Sequence, residues 1–276
     1  MSRLLICSEH DISSVNIRAQ LLSKNKWEDQ GSDGKNSYCF CGDDVLLSTS
    51  DIHIYAENID DVAKKFGITV DDIIFMSRHK AASAISTLTV HPIGNYKLAD
   101  FGGRVGTLVK ATPALMTDAL RKIAATNDTE YKVSFEVTHH GPYVNVPTMF
   151  IEIGSDEAHW GDIHAAEILA NVIRTMEKNE YPNVVGIGGG HYASRFTEIS
   201  LRYKVNFGHM IPNHQFENSS DDDIIRMIRL ATEGTSTKMI YIHKRSMKKS
   251  EVMHISDLIE SIGLEIISSK DLESLV

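Results

Sequence analysis

The sequence predicts an α/β domain with a largely parallel sheet. Short apolar runs alternate with stretches of helical periodicity, most regularly after residue 160. Runs such as 4–7 and 184–187 are apolar throughout, as strands buried on both faces are. A third observation concerns placement. His79, His91, His139, His140, His191, His209 and His243 fall at or just past the ends of these runs. Ligands of open α/β sheets bind outside the carboxyl ends of the strands, so the histidines are expected to converge on one edge.

The elements follow in order. Residues 4–7 read as a strand and 11–22 as a helix with Ile12, Val15, Ile17, Leu21 and Leu22 on its apolar face. Residues 25–42 are polar and contain glycine, which reads as a loop or insertion. Residues 45–48 and 52–55 read as two strands, with His53 a structural or surface histidine. A helix is expected over 59–66. A strand over 72–76 runs into Arg78, His79 and Lys80, the stretch 81–85 follows, and a strand over 87–90 ends at His91. Residues 101–106 form a glycine-rich turn, and 114–127 has the spacing of an amphipathic helix.

Residues 131–138 alternate, with Val133, Phe135 and Val137 on one face and Ser134, Glu136 and Thr138 on the other. His139 and His140 therefore end a strand. In 148–153, Phe150 and Glu152 share a face. Asp162 caps a helix through residue 178. Then come a strand over 184–187, a helix over 194–201, a strand over 203–207 leading into Gly208 and His209, and a helix over 221–231. Asp221, Asp222 and Asp223 favour the positive end of that helix. A strand over 238–242, a helix over 250–262 and a strand over 265–267 complete the chain. With no repeat, linker or compositional break, one domain covering residues 1–276 is expected.

Composition narrows the function classes. At 42% hydrophobic and 24% charged residues the chain is ordinary globular protein. No apolar run approaches the roughly 20 residues that span a bilayer, and the apolar start at Leu4 is too short for a signal peptide, so a cytoplasmic protein without membrane contact is expected. Cys7, Cys39 and Cys41 form no disulfide or zinc-ribbon framework. A formal charge of −9 argues against extensive grip on nucleic-acid backbone but allows a local basic patch, which Lys244 and Arg245 provide.

Imidazoles and carboxylates are what a zinc ion or a general acid/base pair needs. Glu136 and Glu152 sit on strand faces with few other charges, where an unpaired carboxylate is costly. Each is expected to meet a metal, a histidine or an arginine. Adjacent strand residues point to opposite sides, so one of His139 and His140 is expected to reach a metal directly and the other to donate a hydrogen bond or move a proton. The run Gly186 to His191 lacks the last glycine of a dinucleotide fingerprint. Gly188, Gly189 and Gly190 read instead as a turn that offers backbone N–H groups to an anion.

Taken together, Thr138-His139-His140-Gly141-Pro142, Phe150-Ile151-Glu152-Ile153-Gly154-Ser155 with Trp160, Gly188-Gly189-Gly190-His191-Tyr192 with Arg195-Phe196-Thr197-Glu198, Gly208-His209, and Ser77-Arg78-His79-Lys80 followed by Val90-His91-Pro92 resemble the archaeal and plant-type D-aminoacyl-tRNA deacylases. The likeness spans nearly the whole chain; the polar 25–42 segment and the Asp221 to Asp223 run depart from it. The resemblance implies a three-layer α/β/α fold of the phosphorylase and peptidyl-tRNA-hydrolase-like kind, with a mixed, mostly parallel sheet. It also implies hydrolysis of the ester of D-aminoacyl-tRNA with zinc-activated water, releasing the D-amino acid and tRNA.

On that reading His139, His140, Glu152, His191 and His209 are the candidate zinc ligands. His139, His140, Glu136 and Lys80 are the candidate catalytic groups. His79, Arg78, His91, Gly188, Gly189, Gly190, Arg104, Lys244 and Arg245 are candidates for holding substrate. A monomer is expected, with a homodimer left open. Two other readings stand beside it: a metal-dependent hydrolase or phosphorylase of a nucleoside or small ester, and a non-catalytic nucleotide- or RNA-binding module.

Overall fold

Two main sheets and a two-stranded one carry the described residues, and the computed structural model describes residues 2–81 and 85–275, so most of the 81–85 stretch lies outside the described residues. In order the elements are β1 (Arg3–Ser8), α1 (Ile12–Lys24), β2 (Glu28–Ser32), β3 (Asn36–Cys41), β4 (Asp44–Thr49), α2 (Ile59–Lys65), β5 (Asp72–Arg78), β6 (Thr87–His91), β7 (Gly94–Asn95), β8 (Thr107–Leu108) and α3 (Pro113–Thr126). Then come β9 (Lys132–Phe135), β10 (Thr148–Gly154), α4 (Glu157–Trp160), α5 (Ile163–Thr175), β11 (Asn183–Ile187), α6 (Ser194–Arg202), β12 (Asn206–Ile211), α7 (Asp221–Thr235), β13 (Met239–Ile242), α8 (Lys249–Ser261) and β14 (Glu265–Ile267).

The larger sheet has the order β2-β3-β4-β1-β5-β10-β6-β9 and the smaller β12-β11-β13-β14. All pairs of the smaller sheet are parallel. In the larger, β4, β1, β5 and β10 run parallel, while β6 pairs antiparallel with β10 and carries β9 parallel to itself. Apolar residues on alternate positions separate the layers. Met149, Ile151 and Ile153 of β10 face a cluster that includes Ile17 of α1, Leu120 of α3 and Leu169 of α5. Phe150 joins Phe75, Ile6 and Ile59 on the opposite face. The first cluster continues into Phe207, Met210 and Tyr241 of the smaller sheet, whose other face packs on α7 and α8. This is the three-layer α/β/α arrangement with a mixed, mostly parallel sheet.

Helix placement agrees with capping chemistry. Asp11 and Asp162 accept backbone N–H groups at the starts of α1 and α5. Three local expectations give way. The polar 25–42 segment folds as the antiparallel strands β2 and β3 on the sheet edge, where one face meets water and polar residues are tolerated. The expected strand at 52–55 is a short 3-10 turn, His53–Tyr55. It buries His53, which accepts the Ser8 backbone N–H through Nε2 at 3.0 Å. The strand expected at 203–207 lies at Asn206–Ile211 instead, because Tyr203 still closes α6 through its N–H on the Ile199 carbonyl.

Candidate active site

The antiparallel turn of β6 against β10 decides where the histidines meet. With β6 and β9 running opposite to β5 and β10, the groups gather over the face of the sheet at the middle of β10, not along one edge as the sequence reading expects. Phe150 pairs with His91 and Glu152 with Thr89, so His91 and Glu152 share that face. Past Phe135 the chain leaves β9 and crosses to the smaller sheet. Val137 N–H donates to the His191 carbonyl at 3.0 Å and Thr138 N–H to the Met210 carbonyl at 3.1 Å. His191 is thereby laid against Glu136.

Two buried carboxylates stand at the centre, with Glu136 at 0% exposure and Glu152 at 2%. Glu136 Oε2 lies 2.9 Å from His191 Nε2, 3.2 Å from His79 Nδ1 and 3.5 Å from His139 Nε2. Glu152 Oε2 lies 3.5 Å from His91 Nε2 and 3.6 Å from His79 Nδ1. None of these contacts has hydrogen-bond geometry. Both Glu136 oxygens, Glu152 Oε2, His79 Nε2 and His91 Nε2 are buried without a hydrogen-bond partner among the described residues. Leaving so many polar atoms unsatisfied is expensive, and a cation shared among them would satisfy them. His91, His139 and His140 form one group whose ligand atoms lie within 4.8 Å of each other; His79, Glu136 and His191 form another, and His91, Glu136 and Glu152 a third.

The histidines of the first group are set for coordination. Nδ1 of His139 faces the Val137 carbonyl at 2.7 Å, that of His140 the Gly141 carbonyl at 2.5 Å, and that of His91 the Pro92 carbonyl at 3.1 Å. A carbonyl holds the proton on Nδ1 and leaves Nε2 free as a donor to metal. Burial, reinforced by the neighbouring His91, pushes His140 down to about 4 and His139 well below the usual range, so both are neutral near pH 7. Burial opposes protonation of His91 too, but Glu152 and Glu136 outweigh it and raise it; the same balance raises His79. Burial pushes the Glu152 carboxyl up, and the adjoining His79 and His91 overcome this and hold it well below the usual carboxylate range.

His139 and His140 both belong to the first group, against the expectation that adjacent residues must diverge. The reason is the backbone of His140, whose φ of 45° breaks the strand alternation. Gly141 makes room for it. A Cβ there would lie 2.1 Å from Gly103 N and 2.4 Å from Gly102 C.

Of the expected ligands, His139, His140, Glu152 and His191 come together, and His91 and His79 join them. His209 does not. It lies inside β12, fully buried, with Nε2 on the Val109 carbonyl at 2.8 Å and Nδ1 on Thr138 Oγ1 at 3.0 Å, so both ring nitrogens serve the fold. Of the expected substrate groups, Arg78 and Lys80 line the cleft of about 750 Å³ over the histidines. Arg104 instead stacks on Tyr143, 3.6 Å from the ring centroid. Gly188 and Gly189 spend their N–H groups on the Ile211 carbonyl and on Asn213 and Ser246, which removes the anion cradle expected of them. With Gly190 they line another cavity beside His243, and Lys244 and Arg245 line a third with Arg195. The signal for His91 as a ligand was present in its strand, where Thr87, Thr89 and His91 share one parity and all are buried. Trp160, whose Nε1–H holds the His79 carbonyl at 2.7 Å, carried no such signal.

A buried histidine–carboxylate centre under an open cleft on an α/β/α scaffold has the groups of an enzyme site that could hold a metal. Comparison with known proteins supplies the particular. Residues 66–267 match the family model for D-aminoacyl-tRNA deacylase, and the chain belongs to that family. It is 32% identical to the D-aminoacyl-tRNA deacylase of Methanosarcina mazei, over 97% of this chain and 92% of the relative. It is 33% identical to that of Methanococcoides burtonii over its full length, though it spans only 58% of that relative. A crystal structure of a conserved protein of unknown function superposes with a TM-score of 0.89 at 32% identity, covering 100% of this chain and 99% of that one.

Proposed function

We propose that the protein hydrolyses the ester joining a D-amino acid to the terminal ribose of tRNA, with zinc held at the histidine cluster. The observation that carries this is the convergence of His91, His139 and His140 through carbonyl-fixed tautomers beside two buried carboxylates. An all-imidazole donor set suits zinc and leaves an open position. Zinc, when bound, supplies Lewis-acid polarisation and brings the ionisation of water down to about pH 7.

The chain's own residues then have distinct tasks. Glu136 takes the proton of the attacking water, with His79 and His191 on either side of its carboxylate holding it in place. His191, at the cleft and part-exposed, returns a proton to the leaving ribose oxygen. Glu152 keeps His91 and His79 oriented. Lys80 and Arg78 offset charge at the mouth of the cleft, and Lys244, Arg245 and Arg195 offer backbone contacts further along the tRNA. D is separated from L by the cleft wall, where an L side chain meets protein. Residues from 79 to 191 build the centre, so the whole chain is proposed to act as one deacylase unit, and cytoplasmic placement follows from a tRNA substrate.

The test is metal content alongside deacylation of D- and L-tyrosyl-tRNA by one preparation. Chelation should abolish D-specific turnover and zinc should restore it. Full turnover by metal-free protein would refute the metal assignment, and equal turnover of both enantiomers the stereochemical one.

A further inference from the structure

We infer that Phe101, at the mouth of the cleft, is a stacking platform for the terminal adenine of the substrate; the inference rests on the deacylase reading above. Phe101 is 65% exposed and Leu98 72%, and both line the cleft that holds His139, His140 and His191. A large ring left in water at the entrance to a catalytic centre stands where a ligand can cover it. Among the described residues no aromatic ring stacks on it.

The ring is exposed, yet its backbone is pinned. The Phe101 carbonyl accepts the Gly141 N–H at 3.0 Å, one residue past His140, and Asn95 Nδ2 holds the Gly102 carbonyl at 2.9 Å. Gly102 packs so closely that a Cβ there would lie 1.7 Å from the Ile54 carbonyl oxygen. The backbone that carries the platform is therefore fixed against the segment that carries the histidines.

Charge favours a nucleotide. Arg78, Lys80 and Lys97 line the same cleft, against the acids Asp100 and Glu152. A nucleotide presents a flat uncharged π face and a phosphate within one residue's length, and so meets both the ring and the cations. An aromatic amino-acid side chain such as tyrosyl offers a ring but no anion for those cations.

The test compares 3′-O-D-tyrosyl adenosine with the D-tyrosyl ester of ribose lacking the base. The parent protein should prefer the adenosine ester. Phe101→Ala should raise KM for it by about 5- to 150-fold, the range that base–aromatic stacking carries. kcat and zinc content should hold, and KM for the base-free ester should not move. Phe101→Trp should keep the preference. Equal losses on both esters would instead place the amino-acid side chain on Phe101 and overturn the inference, as would a preference that survives in Phe101→Ala. A parent that hydrolyses both esters equally well sinks the platform but leaves the deacylase reading standing; a parent that hydrolyses neither ester nor D-tyrosyl-tRNA sinks both.

Discussion

Replacing Gly141 by alanine alters no group that reacts, yet it should disable the site. The added Cβ would lie 2.1 Å from Gly103 N, 2.4 Å from Gly102 C and 2.8 Å from Gly103 Cα. These are main-chain atoms, so no side chain can swing aside. Ordinary contact begins near 3.4 Å, which leaves more than an ångström to be found by moving the 101–103 loop or the 139–141 segment. The loop is held by Asn95 and by Glu57, whose Oε1 takes the Gly103 N–H at 2.8 Å. The histidine segment is therefore expected to share the displacement. Overpacking of this kind costs about 1–3 kcal/mol, or roughly 2–10 °C in Tm for a chain of this size. A 1 Å error in a reacting geometry costs on the order of 100-fold. Gly141→Ala should thus fold, melt a few degrees early, and lose about 100-fold in kcat/KM together with zinc affinity. Thermal melts, zinc titration by calorimetry and single-turnover deacylation would measure this. Activity and zinc affinity within twofold of the parent would show that the close packing of Gly141 on Gly103 does not position His139 and His140.

Glu136→Gln should lower kcat by about 10²–10⁴-fold while zinc stays bound through the three histidines; retained kcat would remove Glu136 from proton transfer. His209→Ala should leave zinc stoichiometry unchanged and cost roughly 2–4 kcal/mol in chemical denaturation, since it orphans the Val109 carbonyl and opens a cavity. Loss of metal without loss of stability would restore His209 as a ligand. Burial pushes the Cys7 thiol from its ordinary 9.0 up to about 11. The folded state then holds a proton that the unfolded state has lost, so stability should fall as pH rises from 9 towards 11, by about 3 kcal/mol from this group. Cys7→Ala should show a correspondingly shallower alkaline decline, and an identical pH profile in both proteins would contradict that assignment.

Much of the site could be read from the chain because strand parity is a local property. Placing Glu136 on the face opposite Phe135, and Phe150 with Glu152, needs only period two. What could not be read were facts that depend on partners. The direction of β6 against β10 is set by packing, and it moved the meeting point from a sheet edge to a sheet face. The left-handed φ of His140 is tolerated only because Gly141 sits against the 101–103 loop, and no pattern in Thr138-His139-His140 announces it. His209 looked like a loop ligand because Gly208 precedes it. That glycine is instead a packing requirement, since a Cβ there would lie 2.4 Å from Thr235 Cγ2. The residues 25–42 misled for the opposite reason, because an edge hairpin is free to be polar.

The crossing of residues 136–138 between the two sheets has a consequence for how the protein responds to a ligand. The Thr138 amide is protected by the Met210 carbonyl of β12 and the Val137 amide by the His191 carbonyl in the loop that follows β11. Their hydrogen exchange therefore reports sheet separation, not the fraying of either sheet alone. A molecule that fills the cleft and bridges His139 to His191 is expected to slow exchange at those amides. The same three residues that gather the reacting groups thus tie them at once to Val90 of the larger sheet and to Met210 of the smaller.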